Sequence, residues 1–160
     1  MMKILVISDT HGELYNLRRV LREVGKIDRV FMLGDCEEQE ADIRALFPSG
    51  CMYFVRGNCD RHSDAEAELD FTLEGVTFHL THGNGQTDAG IRKRALAAGA
   101  SVICRGHTHR PSSEKEDGVL TVNPGSLSAP RQWDGIPTYA VITVENGKAE
   151  AEIFRVRDYI

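Results

Sequence analysis

The chain has 160 residues, a formal net charge of -5, 41% hydrophobic residues and four cysteines. That length favours one domain over residues 1–160, with a core large enough to need no covalent staples. The acidic balance excludes a non-specific nucleic-acid binder, and no apolar run approaches the ~20 residues of a membrane span. With neither a secretory leader nor CxxC spacing, reduced thiols in a cytoplasmic protein are expected.

Ile4-Leu5-Val6-Ile7 is a short apolar run closed by Ser8-Asp9-Thr10-His11-Gly12, the pattern of a buried strand entering a polar loop. In extended chain, residues two apart share a face, so Asp9 and His11 can aim a carboxylate and an imidazole at one point. Over 13–24, Leu14, Leu17, Val20, Leu21 and Val24 recur at three and four residues, predicting an amphipathic helix stopped by Gly25. A strand at 29–33 ends in Gly34-Asp35, and a helix at 38–47 is stopped by Pro48 and Gly50. A third strand at 52–55 runs into Arg56-Gly57-Asn58-Cys59-Asp60. This β-α-β-α-β order implies parallel strands with right-handed crossovers.

The period then changes. Strands at 71–73 and 76–82 flank Glu74-Gly75, a hairpin signal. A helix is expected over 87–98, capped by Thr87 or Asp88 and stopped by Gly99, and a buried strand at 102–104 leads into Arg105-Gly106-His107-Thr108-His109. A strand at 119–122 precedes Asn123-Pro124-Gly125-Ser126, and 126–137 reads as an irregular loop. A final hairpin joins 138–144 to 149–156 across Glu145-Asn146-Gly147-Lys148. Parallel units followed by hairpins point to an α/β architecture of two packed sheets with helices outside them.

Five strand ends carry groups able to bind metal: Asp9 with His11, Asp35, Asn58, His82, and His107 with His109. Singly, an Asp after a strand is ordinarily a helix cap, and a His near a core is a hydrogen-bonded structural residue. Jointly they suit a shared site, because open α/β sheets bind ligands beyond the carboxyl ends of their strands. Mixed nitrogen and oxygen donors suit Mn²⁺, Fe²⁺, Co²⁺, Ni²⁺ or Zn²⁺. Seven ligands exceed the needs of one ion and suit two, held about 3.5–4 Å apart by a shared carboxylate. Asp35, from the middle strand of the first three, is the best bridge. Two such ions, two carboxylates and a bridging hydroxide leave one net positive charge to meet an anionic phosphoryl group. Ions of this kind also bring the pKa of bound water toward about 7.

Asp9-x-His11, Gly34-Asp35, Gly57-Asn58-x-Asp60, Thr81-His82-Gly83 and Gly106-His107-x-His109 resemble, in order, the signature of the calcineurin-like metallophosphoesterases. Asn123-Pro124-Gly125-Ser126 with Pro130-Arg131 extends the likeness to small bacterial and archaeal phosphodiesterases. The resemblance implies a four-layer αββα sandwich of two mixed β-sheets flanked by helices. It implies Asp9, His11, Asp35 and His109 on one metal and Asp35, Asn58, His82 and His107 on the other. Mn²⁺ is the foremost choice of ion, and a small phosphodiester would be hydrolysed by a hydroxide bridging the pair. Asp35, Asn58, Cys59 and Asp60 would form the catalytic group.

The chain departs from the wider family at Cys59, where a His ordinarily stabilises the developing charge or protonates the leaving oxygen. A thiol is a weak hydrogen-bond donor and a poor general acid near neutrality. Phosphodiesters with acidic leaving groups should therefore turn over better than alkyl monoesters. Asn84 replaces a second His that often touches substrate. Arg61, His62, Asn84 and Arg131 are candidate substrate contacts, a guanidinium being suited to phosphate geometry. His79, on the strand face opposite His82, and Cys36 read as structural. Ser126 and Ser128 lack partners for serine hydrolase chemistry. The competing reading is a non-catalytic protein-interaction scaffold on the same fold, against which the intact set of seven ligands argues. No stable nucleic-acid or membrane partner is expected, and a homo-oligomer is compatible with the sequence.

Overall fold

Alternation along the first strand decides the architecture. In β1 (Met2–Ile7), Ile4 and Val6 enter one apolar layer and Leu5 and Ile7 another, and all four are fully buried. A strand apolar on both faces needs cover on both sides. One face is covered by α1 (Tyr15–Glu23) through Leu17 and Val20, and by α2 (Glu40–Arg44) through Ile43. Between these helices β2 (Arg29–Met32) pairs in parallel with β1, and β3 (Met52–Phe54) in parallel with β2. The computed structural model describes residues 1–157, so the last three residues of the expected 1–160 domain lie outside the described residues.

The second half begins with the hairpin of β4 (Glu68–Leu73) and β5 (Val76–Thr81). Its turn residues Glu74 and Gly75 have φ of 48° and 79°, the left-handed pair that matches strand twist. Next come α3 (Asp88–Ala97), capped by Thr87 accepting from the Gly90 amide, and β6 (Val102–Arg105), parallel to β5. β7 (Ser112–Glu116) and β8 (Val119–Asn123) follow, then the hairpin of β9 (Thr138–Glu145) and β10 (Lys148–Arg155). The sheet orders are β10-β9-β1-β2-β3 and β4-β5-β6-β8-β7.

The two sheets share one apolar layer. Phe31 of β2 sits at its middle, edge-on to Tyr53, Phe71 and Phe78 at centroid distances of 5.6, 5.4 and 5.1 Å. On the outer side of the second sheet, Ile91 and Ala95 of α3 pack on Ile103 and Val119. The layers run helix, sheet, sheet, helix, as the resemblance implies. Parallel pairing of β1, β2 and β3, and of β5, β6 and β8, brings their carboxyl ends to one rim of each sheet.

Three local expectations differ from the structure. The second helix covers five residues rather than 38–47, because Glu37 and Glu38 take left-handed φ of 51° and 70° and break the helical start. β7 has no apolar residue to announce it; only Asp117-Gly118, a left-handed turn pair, marks its hairpin with β8. The last hairpin turns on Asn146 and Gly147 alone, with Glu145 and Lys148 already paired.

Candidate metal centre

The loops leaving the strands are bent in an unusual way. Asp9, His11, Asp35, His107 and His109 have φ of 56°, 45°, 58°, 73° and 58°. Non-glycine residues held in this left-handed region cost of order 1–3 kcal/mol each and cluster at functional sites. The loops hold one another in place: the Asp9 amide donates to the Gly34 carbonyl at 3.0 Å, the His11 amide to Asp35 at 2.9 Å and the Gly106 amide to His82 at 3.2 Å. Two glycines let them approach. A Cβ on Gly57 would lie 2.1 Å from Asp35 Oδ1, and one on Gly106 2.1 Å from Ser8 Oγ and 2.9 Å from Asp9 Oδ2.

Six of the seven predicted ligands converge as two trios, Asp9-His11-His109 and Asp35-His82-His107, the ligand atoms of each lying within 4.8 Å of one another. Asp9 Oδ1 stands 3.3 Å from His109 Nε2, 3.7 Å from His11 Nε2 and 3.8 Å from His82 Nε2. Asp35 Oδ2 stands 3.2 Å from His82 Nε2 and 3.9 Å from His11 Nε2. The Nε2 atoms of His11 and His109 are 3.1 Å apart, and His107 Nδ1 is 3.3 Å from His82 Nε2.

The far ring nitrogens decide what the near ones offer. His82 Nδ1 meets the Leu33 carbonyl at 2.7 Å, His109 Nδ1 the Ala129 carbonyl at 2.6 Å and His11 Nδ1 the Glu37 carboxylate at 3.1 Å. An acceptor there requires N–H at Nδ1, which leaves a lone pair on each Nε2 of a neutral ring. Those lone pairs point at one another and at two carboxylates. Only a proton or a cation between them makes the arrangement favourable.

The electrostatics agree. Burial opposes ionisation of Asp9, but His109 and His11 outweigh it and hold the carboxyl well below the usual carboxylate range. Asp9 raises His11 to about 9. Burial likewise opposes ionisation of Asp35, and His82 with the Cys59 amide lowers it. His82 is raised, Asp35 outweighing burial, whereas burial and the charge on His82 lower His107. Asp9 Oδ1 is buried without a hydrogen-bond partner, although its other oxygen accepts from Ser8 Oγ at 2.6 Å and the His107 amide at 3.0 Å. An orphaned carboxylate oxygen ringed by imidazole lone pairs fits divalent cations.

The remaining predicted residues divide. Asn58 is exposed at the loop tip beside the cluster, its carboxamide nitrogen 3.5 Å from Cys59 Sγ. Cys59 donates its amide to Asp35 Oδ1 at 2.8 Å, and burial followed by the Asp35 charge pushes its thiol up to about 11. Asp60 is buried away from the cluster and accepts four backbone amides: Asp35 and Gly57 at 2.7 Å, Cys36 at 2.9 Å and Glu37 at 3.0 Å. His62 pairs with Glu38 at 3.3 Å and, with Cys36, Ala41, Arg44, Asp60 and Ser63, lines a hollow of about 440 Å³. Arg61, Asn84 and Arg131 have exposed side chains not hydrogen-bonded to the cluster, and Arg131 meets it only by its amide, 3.0 Å from the His109 carbonyl. His79 is buried on the other strand face, bonded to Asp70 at 2.7 Å.

Sequence reasoning missed Glu37, whose reach to His11 depends on its left-handed backbone. It also missed Ser126 and Ser128, which donate to the Asp9 carbonyl at 2.7 and 3.1 Å. No periodicity could announce either.

A profile described as the calcineurin-like phosphoesterase superfamily domain matches residues 2–147. The chain is 36% identical over 158 residues to the probable metallophosphoesterase YsnB of Bacillus subtilis, covering 96% of this chain and 90% of that protein. It is 26% identical over 161 residues to the phosphodiesterase MJ0936 of Methanocaldococcus jannaschii, covering 90% and 94%. A crystal structure of a predicted phosphoesterase from Streptococcus pneumoniae superposes with a TM-score of 0.79 at 28% identity, covering 96% of this chain and 89% of that one.

Proposed function

The chain belongs to the calcineurin-like phosphoesterase superfamily, and from that premise we propose that it is a metal-dependent phosphodiesterase working on small phosphodiesters with two divalent ions. The observation that carries this reading is the set of Nε2 lone pairs of His11, His82 and His109 facing Asp9 and Asp35 across 3.1–3.9 Å. In it, Asp9, His11, Asp35 and His109 hold one ion and Asp35, Asn58, His82 and His107 the other. Mixed nitrogen and oxygen donors without sulfur suit Mn²⁺. Bound there, such ions supply an activated water as nucleophile and neutralise charge developing on the phosphoryl group. The whole of 1–160 serves as one such domain, and a cytoplasmic setting fits its four free cysteines.

The chain's own residues set the rest. Asp9 and Asp35 stay ionised at neutral pH. The Leu33 and Ala129 carbonyls lock His82 and His109 in the tautomer that presents Nε2. With a thiol at about 11, Cys59 stays protonated near neutrality and offers a weak hydrogen bond, neither a nucleophile nor a strong acid. That favours substrates whose leaving oxygen needs little help. Asp60 acts as a positioning residue, tying the Asp35 loop to the Gly57 loop. The hollow beside Asp60, lined by His62 and Arg44 but also by Glu38 and Glu40, includes none of the proposed metal ligands.

The test is hydrolysis of a bis-aryl phosphate by protein reconstituted with Mn²⁺, against EDTA-treated protein and Asp35→Asn, with ions counted by elemental analysis. Two ions per chain and a loss of at least about a hundredfold in Asp35→Asn are expected, since the bridge serves both ions. Aryl diesters should outpace alkyl monoesters. Absence of turnover with every divalent ion would favour the scaffold reading.

A further inference from the structure

Beside the two trios lies a third group of donors that the two-ion reading leaves partly unused. His11, Glu37 and Cys59 each offer a ligand atom within 4.8 Å of the others. Glu37 and Cys59 belong to neither trio. They stand at the open side of the centre: the side chain of Glu37 is 47% exposed and that of His11 23%. We propose that His11, Glu37 and Cys59 form a third cation position, selective for thiophilic divalent ions such as Zn²⁺ and Cd²⁺ over Mn²⁺.

Three protein ligands of mixed nitrogen, oxygen and sulfur, with a fourth place open to water, are the donor set of an accessible zinc site. The sulfur makes the position soft. Mn²⁺ prefers oxygen and imidazole, whereas thiolate selects zinc and its heavier relatives. The backbone fixes the sulfur, since the Cys59 amide is anchored on Asp35 at 2.8 Å, and the Asn58 carboxamide nitrogen lies 3.5 Å from Sγ. Glu37 is aimed by its left-handed φ of 51° and already meets His11 Nδ1 at 3.1 Å. His11 is thereby shared: Nε2 faces Asp9 and His109, and Nδ1 faces the third position. On binding, the ion replaces the Cys59 thiol proton and the proton between His11 Nδ1 and Glu37, and both leave to solvent. An ion held there stands over the approach to Asp35, so it caps the centre. Only that capping consequence rests on the two-ion function; the site itself does not.

Co²⁺ added to metal-free protein tests the proposal by absorbance. None of the seven proposed ligands is sulfur, and Cys36, Cys51 and Cys104 are buried. A thiolate-to-cobalt charge-transfer band therefore reports Cys59. The band should saturate with one equivalent, disappear in Cys59→Ser and need about tenfold more Co²⁺ in Glu37→Gln. Zn²⁺ and Cd²⁺ should displace it and Mn²⁺ should not. Cadmium NMR on the unaltered protein, showing one resonance shifted as for a sulfur ligand, supports the same assignment without any substitution. A wild-type protein without the band, or a band that survives in Cys59→Ser, overturns it. His82→Ala should lose a different equivalent and keep the band. A protein that shows the band and binds no further ions keeps the third position and loses the two-ion reading.

Discussion

Asp60 shows how far a side chain can matter without facing the chemistry. Its two oxygens collect four amides from two loops, among them those of Asp35 and Gly57. Asp60→Ala strands four donors and should cost roughly 3–5 kcal/mol of stability, with Asp60→Asn intermediate. Urea unfolding measures the loss, and the ion count should fall because the Asp35 carboxylate is no longer aimed. The titrating residues give a second expectation, for metal-free protein. His11, at about 9 against an ordinary 6.5, contributes stability that is complete below pH 6.5 and lost as pH rises through about 9. The depressed carboxyls of Asp9 and Asp35 act oppositely, their contribution being present above their ordinary 3.8 and lost in acid. Chelated protein should therefore lose thermal stability between pH 6.5 and 9 through His11. The rise in Tm on adding Mn²⁺ should be larger at pH 9, where the ion no longer competes with that proton. A pH-independent rise would detach His11 from the ion.

At the scale of elements, β2 carries both the core and the site. Phe31 is fully buried among three aromatic rings, and Asp35 follows the same strand. Phe31→Ala should cost about 3–5 kcal/mol and lower ion affinity as well, read by denaturant midpoints and by ion titration. Elements with an apolar face were legible from their residues alone: β1, β2, β5, β6 and α1 announce themselves by buried runs or a helical stripe. The strand ends were legible too, because polar groups follow such runs at once. What escaped notice has no such signal. β7 reads Ser-Ser-Glu-Lys-Glu and exists because β8 offers it a partner. The second helix lost its start to the left-handed Glu37 and Glu38, in a segment whose Cys36 and Glu37 amides are held by Asp60 rather than by a helical turn. Six of the seven expected ligands converge, and Cys59 and Glu37 meet His11 only because three loops fold back together.

For the molecule as a whole, two sheets sharing one apolar layer leave a single rim where five loops can meet, and the strained backbone there is held by the sheets behind it. No helix among the described residues is long and apolar enough to cross a membrane. The outermost strands face another hazard. An unpaired strand flank is a template on which a neighbouring molecule can add and start a fibril. β7 ends one sheet with alternating acidic and basic side chains, and β10 ends the other with Lys148, Glu150, Glu152 and Arg155 along its length. A second copy approaching either flank must strip these charged side chains of water. The plainest stretch of the sequence thus works as a guard against self-annealing, at concentrations where a bare apolar border would precipitate.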